Sequence, residues 1–94
     1  MNIRRLVLDV DKAINRPSLI DLAAAIERVE GVQAVNVTVT EIDIETVGTE
    51  VTVEGEHIDY SALAKAIEST GAVVHSIDQL ACGSRIAEPV KRKR

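Results

Sequence analysis

The first strand is marked by a regular alternation of apolar and polar residues in "IRRLVLDVD", residues 3–11. Side chains of a β-strand point alternately to its two faces, so every second residue shares a face. One face then carries Leu6, Leu8 and Val10, and the other carries Arg5, Val7, Asp9 and Asp11. We therefore expect a strand with one buried face and one charged face.

Two segments carry apolar residues at the three- and four-residue spacing of an amphipathic helix. One predicted helix covers residues 19–30, with Ser18 as its N-cap, Asp21 completing a capping box and Gly31 as its end. The other covers residues 60–70, with Asp59 as its N-cap. Both helices have a single apolar stripe and are expected to pack on a sheet.

The second strand is predicted in "VQAVNVTVTEIDIETV", residues 32–47, and its apolar pattern changes phase midway. Odd positions are apolar in the first half, at Val35, Val37 and Val39, and even positions in the second half, at Ile42 and Ile44. An apolar face that stays buried through such a change requires one extra residue. We predict a β-bulge near Thr40–Glu41.

A turn at Gly48–Thr49 is predicted to lead into a third strand, "EVTVEGE", with Val47 pairing with Glu50. This register places Ile42, Ile44, Val51 and Val53 on one side. It places Glu41, Asp43, Glu45, Thr52, Glu54 and Glu56 on the other. The hairpin would therefore have one acidic side.

A last strand over residues 72–80 completes the order βαββαβ. This order predicts an α+β, ferredoxin-like sandwich: a four-stranded antiparallel sheet with two helices on one face. The first strand is then central, beside the third and fourth, and the second sheet face is open. We expect one domain over residues 1–82 and a flexible basic extension over residues 83–94.

Charge and composition narrow the classes of partner. The chain carries a formal charge of −4, although its final "KRKR" supplies four of its eleven basic residues. An acidic body attracts cations or basic partners. The presence of one Tyr and no Phe or Trp argues against nucleic acid as a partner, because single-stranded nucleic acid stacks its bases on aromatic side chains. No segment reads as a signal peptide or a membrane span, so we expect a soluble, cytoplasmic protein that does not associate with membranes.

The acidic residues of the open face form a candidate metal site. Because the first strand ends at the same sheet edge as the predicted turn, we expect Asp9 and Asp11 near Thr52 and Glu54. Asp43 and Glu45 would lie one strand further out. Clustered carboxylates favour a hard cation such as Ca²⁺ or Mg²⁺, with Asp9, Asp11, Asp43, Glu45 and Glu54 as candidate ligands. A merely solvated face and a salt-bridged subunit contact remain open as alternatives.

No catalytic constellation is present. His57 and His75 stand alone, without a Ser or Cys at a recognisable spacing, so we expect no enzyme. His75 shares parity with Val73 and Ile77, which favours a buried structural histidine; with the opposite parity it would approach Asp9. The single cysteine, Cys82, excludes an internal disulfide and a paired-cysteine metal site.

Several motifs resemble known domains of this fold. "VEGVQAVNVTV" and "SALAKAIESTGA" resemble heavy-metal-associated and ACT-like regulatory domains, but the loop "DKAINRPS" lacks the paired cysteines of metallochaperones. Residues 2–80 more closely resemble a small archaeal conserved family of unknown function, on the segments "RRLVLDVDK" and "VNVTVTEIDIET". That resemblance implies rings or larger homo-oligomers and no assigned enzymatic activity.

Two functions follow as expectations. The first is a homo-oligomeric ligand-binding or regulatory module that binds a divalent cation or a small metabolite. The second is a structural self-assembly or protein-interaction module without a ligand, whose acidic face meets basic residues of a neighbouring copy.

Overall fold

Six elements follow one another in a computed structural model that describes residues 1–91. They are β1 (Ile3–Ala13), α1 (Leu19–Glu27), β2 (Val32–Ile42), β3 (Thr46–Gly55), α2 (Tyr60–Ser69) and β4 (Val73–Cys82). The strands form one antiparallel sheet in the order β2-β3-β1-β4. The predicted ferredoxin-like α+β fold is confirmed.

The core lies between one sheet face and the two helices. The alternating residues Leu6, Leu8 and Val10 of β1 are fully buried there, as the period of two predicts. Buried leucines and isoleucines of the helices complete the cluster: Leu22, Ile26, Leu63 and Ile67. The opposite sheet face carries the polar residues of β1 and is left open. Neither helix in residues 1–91 is long and apolar enough to cross a membrane.

Both predicted helix caps are confirmed. Ser18 Oγ accepts a hydrogen bond from the Asp21 amide at 3.0 Å, and Asp59 Oδ1 accepts one from the Ala62 amide at 3.1 Å. These bonds satisfy amides that have no partner within the helix. The first helix ends at Glu27 rather than at residue 30, because the chain tightens there and the Val29 amide bonds to the Ile26 carbonyl.

The β-bulge predicted near Thr40–Glu41 is present. Val39 pairs with Thr49 and Glu41 pairs with Gly48, which leaves Thr40 as the extra residue of β2. The odd residues of β2 before the bulge and Ile42 after it therefore share the helix-facing side. The change from odd to even apolar positions was enough to predict the bulge, because one extra residue in a strand returns the following apolar side chains to the same face of the sheet.

The predicted turn at Gly48–Thr49 is wrong. The chain turns at residues 43–45, and Val47 pairs with Ile42 instead of Glu50. Gly48 and Thr49 lie inside β3, whose core-facing residues are Val47, Thr49, Val51 and Val53. The loop is closed by the Asp43 amide, which bonds to the Thr46 carbonyl at 2.8 Å. One uninterrupted buried face of β3 thus outweighed the local turn preference of glycine.

The chain after β4 turns back along the sheet. The Gly83 amide donates to the Asn2 carbonyl at 2.8 Å, and Arg4 Nε donates to the Gly83 carbonyl at 2.7 Å. The single domain over residues 1–82 and the flexible extension after it stay predictions. Of the basic "KRKR" end, residues 92–94 lie outside the described part of the chain.

Two glycines of β3 give a matched test of this packing. A methyl group at Gly55 would collide with the backbone carbonyl of Gly31, whereas one at Gly48 would meet only contacts of 3.5 Å or more. We expect Gly55→Ala to lower the free energy of unfolding by about 3 kcal/mol. Gly48→Ala should change it by about 1 kcal/mol or less. Urea denaturation measures both, and equal effects would contradict the close approach at Gly55.

Candidate functional site

The open sheet face is organised in rows of residues that lie opposite each other on β1 and β3. Along β1 the rows are Arg5 with Glu54, Val7 with Thr52, Asp9 with Glu50, and Asp11 with Gly48. Gly48 in turn lies opposite Glu41 of β2. Four carboxylates therefore gather at one end of the face, and we call Asp9, Asp11, Glu41 and Glu50 the acidic end.

Asp9 and Asp11 lie on the open face, as predicted, but beside different acids. Asp9 is directly opposite Glu50. A methyl group at Gly48 would lie 3.7 Å from Asp11 Oδ1 and 3.6 Å from Glu41 Cβ, so these two acids flank the glycine. Glu50 and Glu41 were not among the predicted ligands. The β1–β3 register brings Glu50 to Asp9, and the β2–β3 register places Glu41 beside Gly48, which is opposite Asp11.

Glu54 lies away from the acidic end, so its expected position near Asp9 and Asp11 is wrong. It is opposite Arg5, at the other end of β1, and Arg5 Nε lies 2.8 Å from Glu54 Oε2. The error follows from the misplaced turn. A turn predicted at Gly48–Thr49 rather than at residues 43–45 shifts the predicted position of every β3 residue relative to β1. Glu54 is an ion-pair partner rather than a neighbour of the aspartates.

Asp43 and Glu45 lie in the β2–β3 loop. This loop lies beyond the C-terminal end of β1, where Ala13 pairs with Thr46. Asp43 Oδ1 accepts a hydrogen bond from the Ile44 amide at 2.7 Å, which holds the carboxylate against its own loop. Glu45 lines a depression of about 510 Å³ together with Ile14, Arg16 and neighbouring residues. The structure does not bring these two acids into the acidic end.

Within residues 1–91, no three His, Cys, Asp or Glu side chains come close enough to hold a metal ion. The acidic end instead presents like charges opposite each other, an arrangement that destabilises paired strands. A cation there would need further donors, from water or from a second copy of the chain.

Arg5 organises the other end of the open face. Its Nη1 donates to both carboxylate oxygens of Glu88, at 3.0 and 3.1 Å, and to Gln79 Oε1 at 3.2 Å. Hydrogen bonds to Glu88 and to Glu54 raise the pKa of the guanidinium above its ordinary value. The residues meet across 83 positions of sequence, so no local pattern could indicate the contact. Charge at this end is therefore compensated.

His75 is not a buried structural histidine, contrary to the expectation from its parity. Its side chain is 67% exposed, and Nδ1 lies 3.8 Å from Asp11 Oδ2. In the β1–β4 ladder Asp9 pairs with Ser76 and Val10 pairs with Val74, which leaves His75 as an extra residue of β4. A bulge thus turns the imidazole toward the acidic end.

An apolar patch lies beside the β2–β3 loop. Ile42 is 73% exposed and Ile44 is 87% exposed. Ile14, from the loop between β1 and α1, is also exposed and lines the same depression as Ile44. We call Ile14, Ile42 and Ile44 the isoleucine patch. Its members lie at the sheet end nearest the acidic end, and Asp43 and Glu45 border it.

Comparison with known sequences matches the chain to a family described as uncharacterized. A family model described as "Uncharacterized ArCR" matches residues 4–94. The chain is also 40% identical over 89 residues to "Uncharacterized protein MJ0319" of Methanocaldococcus jannaschii. That alignment covers 95% of this chain and 91% of the relative. The resemblance to a small archaeal conserved family of unknown function is confirmed.

The acidic end predicts a stabilising substitution. In the presence of EDTA, Asp9→Asn should raise the free energy of unfolding by about 0.2–1 kcal/mol, because it removes the repulsion with Glu50 across the strands. Asp43→Asn is the matched control, since an Asn oxygen can still accept from the Ile44 amide, and it should have a smaller effect. Thermal and urea melts measure both. Destabilisation by Asp9→Asn in EDTA would contradict the repulsion.

Proposed function

We propose that this chain, which belongs to the archaeal DUF211 family of proteins without an assigned activity, is a homo-oligomeric binding module and not an enzyme. The isoleucine patch carries the proposal. Ile42 at the end of β2 and Ile44 in the β2–β3 loop are both largely exposed, and only another surface can remove them from water. Burial of apolar area stabilises by about 25 cal/mol per Å², so such a patch favours association.

A second copy of the chain is the partner that this patch supports best. A patch of aliphatic side chains bordered by acids has the apolar centre and polar rim of a protein interface. With one Tyr and no Phe or Trp, the sequence is poor in the large aromatic anchors that often dominate binding to other proteins. Repeated small contacts within a symmetric assembly offset that weakness. The cytoplasm stays the predicted location.

Binding of a small metabolite fits the same end of the molecule. The depression beside Ile44 has a volume of about 510 Å³, within the range of small-molecule sites, and Arg16 and Asn15 supply polar groups at its wall. It is open in a single chain. A neighbouring copy placed against the isoleucine patch would close the depression, so ligand binding and assembly would be coupled.

Self-assembly is tested by removing the apolar contact. Wild-type protein should elute as an oligomer in size-exclusion chromatography with light scattering. Ile44→Asp should weaken assembly at least about tenfold, because burial of one isoleucine contributes roughly 1.5–3 kcal/mol. Val90→Asp, at a site that is also exposed, is the matched control and should leave assembly unchanged. Circular dichroism confirms that both variants are folded.

The light-scattering result has two contradicting outcomes. A monomeric wild-type chain at every accessible concentration would exclude a homo-oligomeric module. An oligomer that Ile44→Asp leaves intact would exclude the isoleucine patch as part of the interface.

Binding of a hard divalent cation at the acidic end is a second candidate function. The observation that favours it is the row of like charges, Asp9 opposite Glu50 and Asp11 beside Glu41, which a cation would neutralise. Asp9 and Asp11 are the central ligands in this proposal. Because three donors do not converge within residues 1–91, donors from a neighbouring copy or water would complete the site.

Cation binding is tested by thermal melting in EDTA, Ca²⁺ and Mg²⁺. A cation at a hundred times its Kd should stabilise the protein by about 2.7 kcal/mol. Asp9→Asn combined with Asp11→Asn should abolish that gain, whereas Asp21→Asn, at the start of α1, should preserve it. Equal melting temperatures in EDTA and in both cations would remove the candidate and leave the self-assembling module without a metal.

A further inference from the structure

Two basic residues belong to the part of the chain that walls the depression beside Ile44. Arg16 is exposed and lines the depression directly. Lys12, near the end of β1, is only 7% exposed. Within residues 1–91 neither of them pairs with a carboxylate, whereas Arg4 and Arg5 both do. The described part of the chain therefore supplies no counter-ion for either group.

Lys12 is held behind the wall of the depression by backbone groups. Its Nζ donates to the carbonyl oxygens of Ala13 at 3.0 Å and of Ile14 at 3.4 Å, and both residues line the depression. Carbonyl oxygens satisfy the donors of an ammonium group but carry no net charge. Salt screens a buried charge much less than an exposed one. The buried ammonium therefore makes the electrostatic potential of this wall more positive.

Glu45 is the acidic residue of the same wall. Its side chain is exposed, and no basic group within residues 1–91 forms an ion pair with it. An exposed carboxylate is solvated by water and screened by salt, so it acts on the depression more weakly than the fixed charge of Lys12. Two basic groups and one acid thus leave this wall with an excess of positive charge.

The remainder of the wall is aliphatic, apart from one amide. Ala13, Ile14 and Ile44 line the depression, and Ile14 is 45% exposed. Asn15 adds a side-chain amide with two N–H donors. Apolar walls with a few polar groups are typical of small-molecule sites, and the volume of about 510 Å³ is sufficient for a small metabolite.

We infer that this depression binds a small organic anion, whose carboxylate or phosphate group lies on Arg16 and Asn15. A short aliphatic body would pack against Ile14 and Ile44. The planar guanidinium of arginine presents pairs of N–H donors that match an oxyanion, and the asparagine amide adds a further donor. The inference rests on the proposed binding of a metabolite at this depression and specifies the chemical class of that ligand. It requires no particular number of subunits.

Probes with one aliphatic body and different head groups test the class of ligand. Isovalerate and isopentyl phosphate carry an anion, isovaleramide is the neutral control and isopentylamine is the cationic one. We expect both anions to bind at least about tenfold more tightly than the amide, because hydrogen bonds to a charged group are the stronger ones. The amine should not bind. Calorimetry measures the affinities, and the tighter of the two anions identifies the head group.

The aliphatic body is tested by a shorter carboxylate. Acetate should bind at least about tenfold more weakly than isovalerate, because it lacks the apolar carbons that would pack against the two isoleucines. Amide chemical shifts from nuclear magnetic resonance should change in residues 12–16 and 44–45 when isovalerate is added. Shift changes confined to other residues would place the anion elsewhere and contradict the inference.

Matched charge variants test the roles of Arg16 and Glu45. Arg16→Gln should weaken the binding of isovalerate at least about tenfold, because it removes the charged donor. Arg85→Gln removes the same charge from an exposed site after β4 and should leave binding unchanged. Glu45→Gln should tighten binding several-fold, because it removes a like charge from the wall. Glu30→Gln, in a separate depression beyond the other end of β3, should have no effect.

A third variant removes the buried ammonium. Lys12→Met should weaken the binding of isovalerate several-fold, although Lys12 touches no ligand atom in this proposal. Circular dichroism shows whether each variant is folded, and Arg16→Gln decides the test if Lys12→Met does not fold. Unchanged binding by a folded Lys12→Met variant would contradict the contribution of the buried charge.

The remaining outcomes separate the inference from the function beneath it. Equal affinities for isovalerate and isovaleramide, or an Arg16→Gln variant that binds like the wild type, would exclude recognition of an anion. Weaker binding by Glu45→Gln would indicate a ligand with an amino group instead. A wild type that assembles but binds neither anion would remove the inference and leave the self-assembling module. A monomeric wild type that binds isovalerate would do the reverse.

Discussion

In the ladder between β1 and β3, Leu8 lies opposite Val51 and Asp9 lies opposite Glu50. Since side chains alternate between faces, a register that buries the first pair must place the second pair on the open face. Burial of the aliphatic rows against both helices thus imposes the repulsion between acids. The packing of the core and the pairing of Asp9 with Glu50 both depend on this register.

Charge on the open face follows from the same constraint and is unevenly compensated. Arg5 meets Glu54 across the ladder and Glu88 from the segment after β4, so carboxylates at that end have a partner. At the opposite end Asp9 faces Glu50, and within residues 1–91 the one basic group near Asp11 is the imidazole of His75, at 3.8 Å. The end that lacks compensation also borders the isoleucine patch. Both features favour a surface completed by something outside the single chain.

Local signals in the sequence predicted much of the fold and part of the candidate site. The caps at Ser18 and Asp59 and the bulge at Thr40 are confirmed, because each depends on residues within a few positions of one another. The prediction of the turn failed because the residue types of Gly48 and Thr49 favour a turn when only their neighbours in sequence are considered. In the structure both belong to β3: Thr49 is buried on the helix-facing side, and Gly48 lies between Asp11 and Glu41 on the open face. Because the turn was misplaced, the predicted register placed Glu54 near Asp9, whereas the residue opposite Asp9 in the structure is Glu50.

The sequence by itself determined the order of elements, the buried face of β1 and the presence of Asp9 and Asp11 on the open face. These follow from periodicity, which is a property of each element alone. Only the tertiary structure decided which acids meet, how Arg5 reaches Glu88, and that His75 turns toward Asp11. Those contacts join residues far apart in sequence, so they depend on the register between strands, which no single segment encodes.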